Sequence, residues 1–79
     1  MINAYIMISL QPGNTEKAIK EMRKIENIAK ISIIAGDYDI IVRVQVDNLE
    51  ELLTATDKIQ MISGVRKTTT QVVEKEITL

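Results

Sequence analysis

Residues 2–11 alternate without a break: Ile2, Ala4, Ile6, Ile8 and Leu10 fall on one side, and Asn3, Tyr5, Met7, Ser9 and Gln11 on the other. A period of two sustained over that length specifies a strand with one buried face and one left open. The pattern returns downstream, where Tyr38, Ile40, Val42, Val44 and Val46 share one face and Asp39, Ile41, Arg43, Gln45 and Asp47 the other. Between and after these runs the period changes to that of a helix. Pro12-Gly13-Asn14 breaks the first strand, and Asn14 or Thr15 caps a helix that carries Ala18, Ile19, Met22 and Ile25 on one stripe and ends near Asn27. Residues 29–35 and 38–46 then read as a hairpin closed by a tight Gly-Asp turn. Asp47-Asn48-Leu49-Glu50 opens a second helix, with Leu49, Leu52, Leu53, Ile59 and Ile62 on its stripe, and Ser63-Gly64 ends it. Residues 65–77, rich in threonine and valine, form the last strand. The order βαββαβ with right-handed crossovers predicts an α+β, ferredoxin-like sandwich: a four-stranded antiparallel sheet with both helices on one face. Residues 1–79 read as a single domain with no linker or repeat.

The composition narrows what such a sandwich does. A chain of 79 residues is near the size at which folding buries only about 60% of the unfolded surface. With no cysteine and 46% hydrophobic residues, the remaining source of stability is apolar contact with another subunit. A net charge of -1 with no basic cluster disfavours direct DNA binding, and two tyrosines as the only aromatics provide no stacking platform for RNA. The absence of histidine removes the commonest acid-base catalyst and metal ligand, and no CxxC pair exists to carry a metal. No apolar run approaches membrane length, and Met1 leads straight into a strand, so a cytoplasmic protein is expected. Fourteen isoleucines with abundant Lys and Glu resemble thermophile usage.

Three features remain unexplained by the fold alone. Ile41, Tyr5 and Met7 lie on the sheet face that no helix covers, which predicts a homodimer packed sheet to sheet. Gly36-Asp37-Tyr38-Asp39 joins two apolar runs and places a flexible glycine between groups able to hold an ammonium, namely the carboxylates of Asp37 and Asp39. Those two acids have no third partner for a Mg²⁺ site, and no glycine-rich phosphate cradle is present, so an enzyme is not expected and no cofactor is called for. In the last strand, Thr68 and Thr70 share a side, which spaces their hydroxyls about 7 Å apart, suited to a small zwitterion.

Taken together, Pro12-Gly13, Gly36-Asp37-Tyr38-Asp39 followed by Ile40-Ile41-Val42-Arg43-Val44, and Gly64-Val65 leading to Thr68-Thr69-Thr70 and Val72-Val73 strongly resemble the effector domain of the Lrp/AsnC feast/famine regulators. That domain is termed RAM, for regulation of amino acid metabolism, and the resemblance runs over essentially the whole chain. Such regulators carry a helix-turn-helix domain ahead of it, whereas Met1 here stands one residue before the first strand, so a stand-alone RAM module is expected. The resemblance implies sheet-to-sheet dimers, octameric or decameric rings of them, and a free amino acid bound where dimers meet. It maps the effector loop onto Ile34, Ala35, Gly36, Asp37, Tyr38 and Asp39, and the contribution of the last strand onto Thr68, Thr70 and Val72. Amides near Gly36 would take the carboxylate, Asp39 or Asp37 with the threonines the ammonium, and Ile34 and Val72 an aliphatic side chain. Asp39→Ala is then expected to remove binding and leave the fold intact. A full-length Lrp/AsnC regulator is the expected partner. The competing readings on the same element order are an ACT-like sensing subunit of an enzyme and a small dimeric α/β-barrel enzyme.

Overall fold

The computed structural model describes residues 1–79 as β1 (Ile2–Leu10), α1 (Thr15–Met22), β2 (Ile28–Ile33), β3 (Ile40–Val46), α2 (Leu49–Gln60) and β4 (Val65–Val72). The strands form one antiparallel sheet in the order β2-β3-β1-β4, which is the ferredoxin-like arrangement. The alternation read from the sequence is the alternation of burial. Ala4, Ile6, Ile8 and Leu10 of β1 and Ile40, Val42, Val44 and Val46 of β3 are buried under the helices, with Ala18 and Met22 of α1 and Leu52, Ala55 and Ile59 of α2 closing the core over them. The register sets Ile6 opposite Val42 and Ile8 opposite Ile40, so the two central strands stack their apolar positions in rows.

The helices differ from the sequence expectation for local reasons. α1 ends at Met22 rather than near Asn27 because the following amides switch to shorter bonds, Lys24 N–H to Glu21 O and Ile25 N–H to Met22 O. This tightening still delivers Ile25 to the core. Asn14 occupies the cap position of α1, yet its side chain does not cap; its amide donates to the carbonyls of Gln11 and Pro12 at 3.1 Å each. α2 is capped properly: Asn48 Oδ1 accepts from Glu51 N–H at 2.9 Å, and Glu51 Oε1 accepts from Asp47 N–H at 2.8 Å. Leu49 and Leu53, expected on the apolar stripe of α2, face solvent, and Ala55 takes the central position instead. The uncovered sheet face carries Tyr5, Met7, Ile41, Arg43 and Gln45 as expected; Asp39 does not join them, because β3 begins only at Ile40.

Candidate functional site

The hairpin between β2 and β3 is wider than a tight turn. Ile34 N–H donates to Asp39 O at 3.0 Å and closes a loop of residues 34–39. One end of that loop is fastened to β1 twice. Asp39 N–H donates to Ile8 O at 2.9 Å, and Leu10 N–H donates to Asp39 Oδ2 at 2.7 Å. The second bond explains itself from the ladder. The β1–β3 ladder ends at Ile8 and Ile40, so the Leu10 amide, which points to the β3 side, has no β3 carbonyl to meet. The carboxylate of Asp39 stands in for it.

The two acids of the loop, both candidates for an ammonium contact, are placed differently: Asp39 Oδ2 is tied to the scaffold and the residue is only partly exposed, while Asp37 is exposed and unpaired. Ala35 and Gly36 are exposed beside it, Ile34 is half-buried, and nothing lies within 4 Å of where a Cβ on Gly36 would stand. The loop tip is therefore open to a guest.

Tyr38 links this loop to the other segment in question. Its hydroxyl shares a 3.0 Å hydrogen bond with the Thr69 hydroxyl. Thr69 pairs with Met7, whose face is the uncovered one, so Tyr38 lies against that face and not on the helix side with Ile40, where uninterrupted alternation had put it. Thr68, Thr70 and Val72 pair with Ile8, Ile6 and Ala4, and so lie on the opposite, helix side of the β4 edge. Thr68 Oγ1 accepts from Gln60 Nε2 of α2 at 3.1 Å, whereas Thr70 and Val72 are exposed. One chain thus brings the loop and β4 together through Tyr38 and Thr69 while turning Thr68, Thr70 and Val72 to the other face. Gln60 and Thr69 were not foreseen; alternation on β4 gave Thr69 a face but no partner. We expect Tyr38→Phe to cost about 0.5–1.5 kcal/mol and to raise amide exchange in residues 34–38 first, read by hydrogen exchange with mass spectrometry.

No enclosed pocket accompanies the loop. The three clefts of the single chain lie elsewhere, one of about 400 Å³ between Ile25-Glu26-Asn27 and the α2 side chains from Glu50 to Lys58, and none is lined by residues 34–39 or by Thr68, Thr70 or Val72. No cluster of three or more acids, histidines or cysteines is set to hold a metal ion, and no helix is long and apolar enough to cross a membrane.

The class of protein is set by the one-faced ferredoxin-like sheet together with the family it matches. The family model for the Lrp/AsnC ligand binding domain matches residues 3–78. The chain belongs to the Lrp/AsnC family through that domain. It is 35% identical over 72 residues to the HTH-type transcriptional regulator FL11 of Pyrococcus abyssi, an alignment covering 91% of this chain and 48% of that protein. The chain therefore spans about half the length of the curated relatives it matches. A structure from Thermus thermophilus superposes with a TM-score of 0.92 at 22% identity, covering 100% of both chains. A transcriptional regulator of Neisseria meningitidis, solved as a complex with L-Met, superposes with a TM-score of 0.89 at 18% identity, covering 99% of this chain and 53% of that one.

Proposed function

We propose that this chain is a non-enzymatic amino-acid-binding effector module, a single RAM domain that works in the cytoplasm as a homo-oligomer and modulates a full-length Lrp/AsnC regulator. The ligand is a free amino acid, aliphatic by preference, held where subunits meet. The observation that carries this reading is an incomplete site: a loop with an open tip, an unpaired Asp37 and no cavity around it in one copy. A small zwitterion needs most of its surface enclosed to bind, so a neighbouring subunit has to provide the remaining wall. L-Met in the Neisseria regulator supports the ligand class. The uncovered sheet face, with Tyr5, Met7 and Ile41 at its centre, is the natural surface for pairing two copies, and pairs assemble further into an octameric or decameric ring. By co-assembling with a full-length regulator, the module biases that regulator's oligomeric state without touching DNA.

Calorimetric titration of the purified chain with the standard amino acids, alongside its mass by light scattering, tests the reading. Saturable heat from aliphatic amino acids with an oligomeric mass is the expected result; no heat from any of them in an intact oligomer would reject it. Within that assay Asp37→Asn should weaken binding about tenfold, since it removes a charge from an ammonium contact worth roughly 1.4 kcal/mol, and leave the mass unchanged.

A further inference from the structure

The segment after β4 does not leave the sheet. Val73 N–H donates to Asn3 O at 2.8 Å, which keeps the chain beside β1, and by Glu76 it has reached β3, where Arg43 Nη2 donates to Glu76 Oε1 at 3.0 Å. The Arg43 guanidinium stands 6.0 Å from the centre of the Tyr5 ring. Val73 thus continues beside β1, and Glu76 reaches the outward-facing Arg43 of β3, so the segment starts along the border of the uncovered face.

The charges of the two surfaces are complementary. Strand positions that face out carry Lys30, Arg43 and Lys67 and no carboxylate, because Lys30 pairs with Arg43 and Lys67 with Ser9 on that side. The segment after β4 carries Glu74, Lys75 and Glu76, one carboxylate more than its cations. Two copies of the bare face would bring like charges together at the spacing of packed sheets, about 10 Å; the carboxylates at its border offset part of that repulsion. The segment also has apolar groups that its own chain leaves uncovered: Ile77 is 75% exposed, and Leu79 faces solvent entirely. The exposed apolar groups and the cationic face are both met by one occupant, a second copy of this chain stacked on the same face.

We propose that residues 73–79 are an arm that the second copy receives. The intrachain Arg43–Glu76 pair aims it, Glu74 and Glu76 offset the cations of the stacked faces, and Ile77 and Leu79 bury against the partner copy. The proposal rests on the sheet-to-sheet pairing set out above, and goes beyond it in making the arm the part of the interface that decides affinity.

The test is a dilution series of the whole chain followed by sedimentation velocity, with circular dichroism as a check on folding. The paired substitution Ile77→Ser with Leu79→Ser should raise the dimer dissociation constant about tenfold or more at an unchanged spectrum. Arg43→Glu and Glu76→Arg should each weaken the dimer, and the two together in one chain should restore it. An equimolar mixture of the two single variants should not recover, because the pair forms within a chain. Recovery in that mixture would place the ion pair between copies and overturn the aiming role. A dimer indifferent to the serine substitutions would overturn the arm alone, whereas an unaltered chain that stays monomeric throughout would overturn the pairing beneath it.

Discussion

Asp39→Ala should destabilise the fold by about 2–3 kcal/mol, the usual range for losing a charge-assisted hydrogen bond and stranding its donor. The donor is Leu10 N–H, which meets Asp39 Oδ2 at 2.7 Å where the β1 ladder has run out of carbonyls. Alanine at this position leaves the Leu10 amide facing a half-buried gap, and holds the loop end to β1 by the backbone bond to Ile8 O alone. Asp39→Asn keeps a carbonyl oxygen in reach and should lose about 1 kcal/mol or less. Urea denaturation of the three proteins reads the ranking, and the Leu10 amide should lose its exchange protection first in the alanine variant. If Asp39→Ala unfolds at the same urea concentration as the parent, the carboxylate is not the scaffold element described above. The ranking also matters for function. A loss of ligand binding in Asp39→Ala would have to be read against this loosening, so Asp37→Asn, at an exposed side chain with no scaffold bond, is the cleaner test of the proposed ligand contact.

Gly64→Ala should cost about 2–4 kcal/mol, combining a left-handed backbone with a collision. Gly64 has φ +94°, and a Cβ there would stand 2.7 Å from Asn14 Cγ and 2.8 Å from both Asn14 Cβ and Oδ1. Asn14 cannot simply swing away, because its amide holds the Gln11 and Pro12 carbonyls, while Gln11 N–H donates to Gly64 O at 2.8 Å. The bend after β1 and the turn before β4 are thus locked into one another. Adding Asn14→Gly removes the obstructing side chain and should recover only the steric part, leaving the backbone cost of about 1–2 kcal/mol. Thermal and urea melts of the single and double variants form a cycle that separates the two contributions. Full recovery in the double variant would show that the conformation of Gly64 carries no cost of its own.

The sheet was legible in the sequence because its signal is redundant. Every second residue of β1 and β3 repeats the same instruction, and a period-two pattern cannot be satisfied by a helix. The helix boundaries were less legible. Ile25 looked like a fourth helical contact, and a short run of tightened turns reaches the core just as well. Leu49 and Leu53 were placed on the apolar stripe by their helical spacing, but α2 lies so that Leu52, Ala55 and Ile59 meet the sheet, and the small Ala55 lets it approach closely. At the candidate site, residue types singled out the loop and β4 as expectations. The Asp39–Leu10 bond was not legible, since it depends on where β3 departs from β1, a matter of register that no local pattern encodes. The Tyr38–Thr69 and Arg43–Glu76 contacts join residues about thirty positions apart, and only the assembled sheet brings them together.

The strand order also governs when the molecule can come into being. β1, made first, lies between β3 and β4, with Ala4 opposite Val72, so its second neighbour is the last of the six elements to be synthesised. Until then the growing chain holds a three-stranded intermediate whose β1 flank bears open amides and carbonyls along nearly its whole length. Contacts this distant in sequence slow folding relative to helical proteins of similar size, and an unsealed flank invites pairing with a neighbouring nascent chain. Production on crowded polysomes should therefore be the step at which this small protein is most vulnerable to aggregation, and where a chaperone that shields exposed strands would matter most.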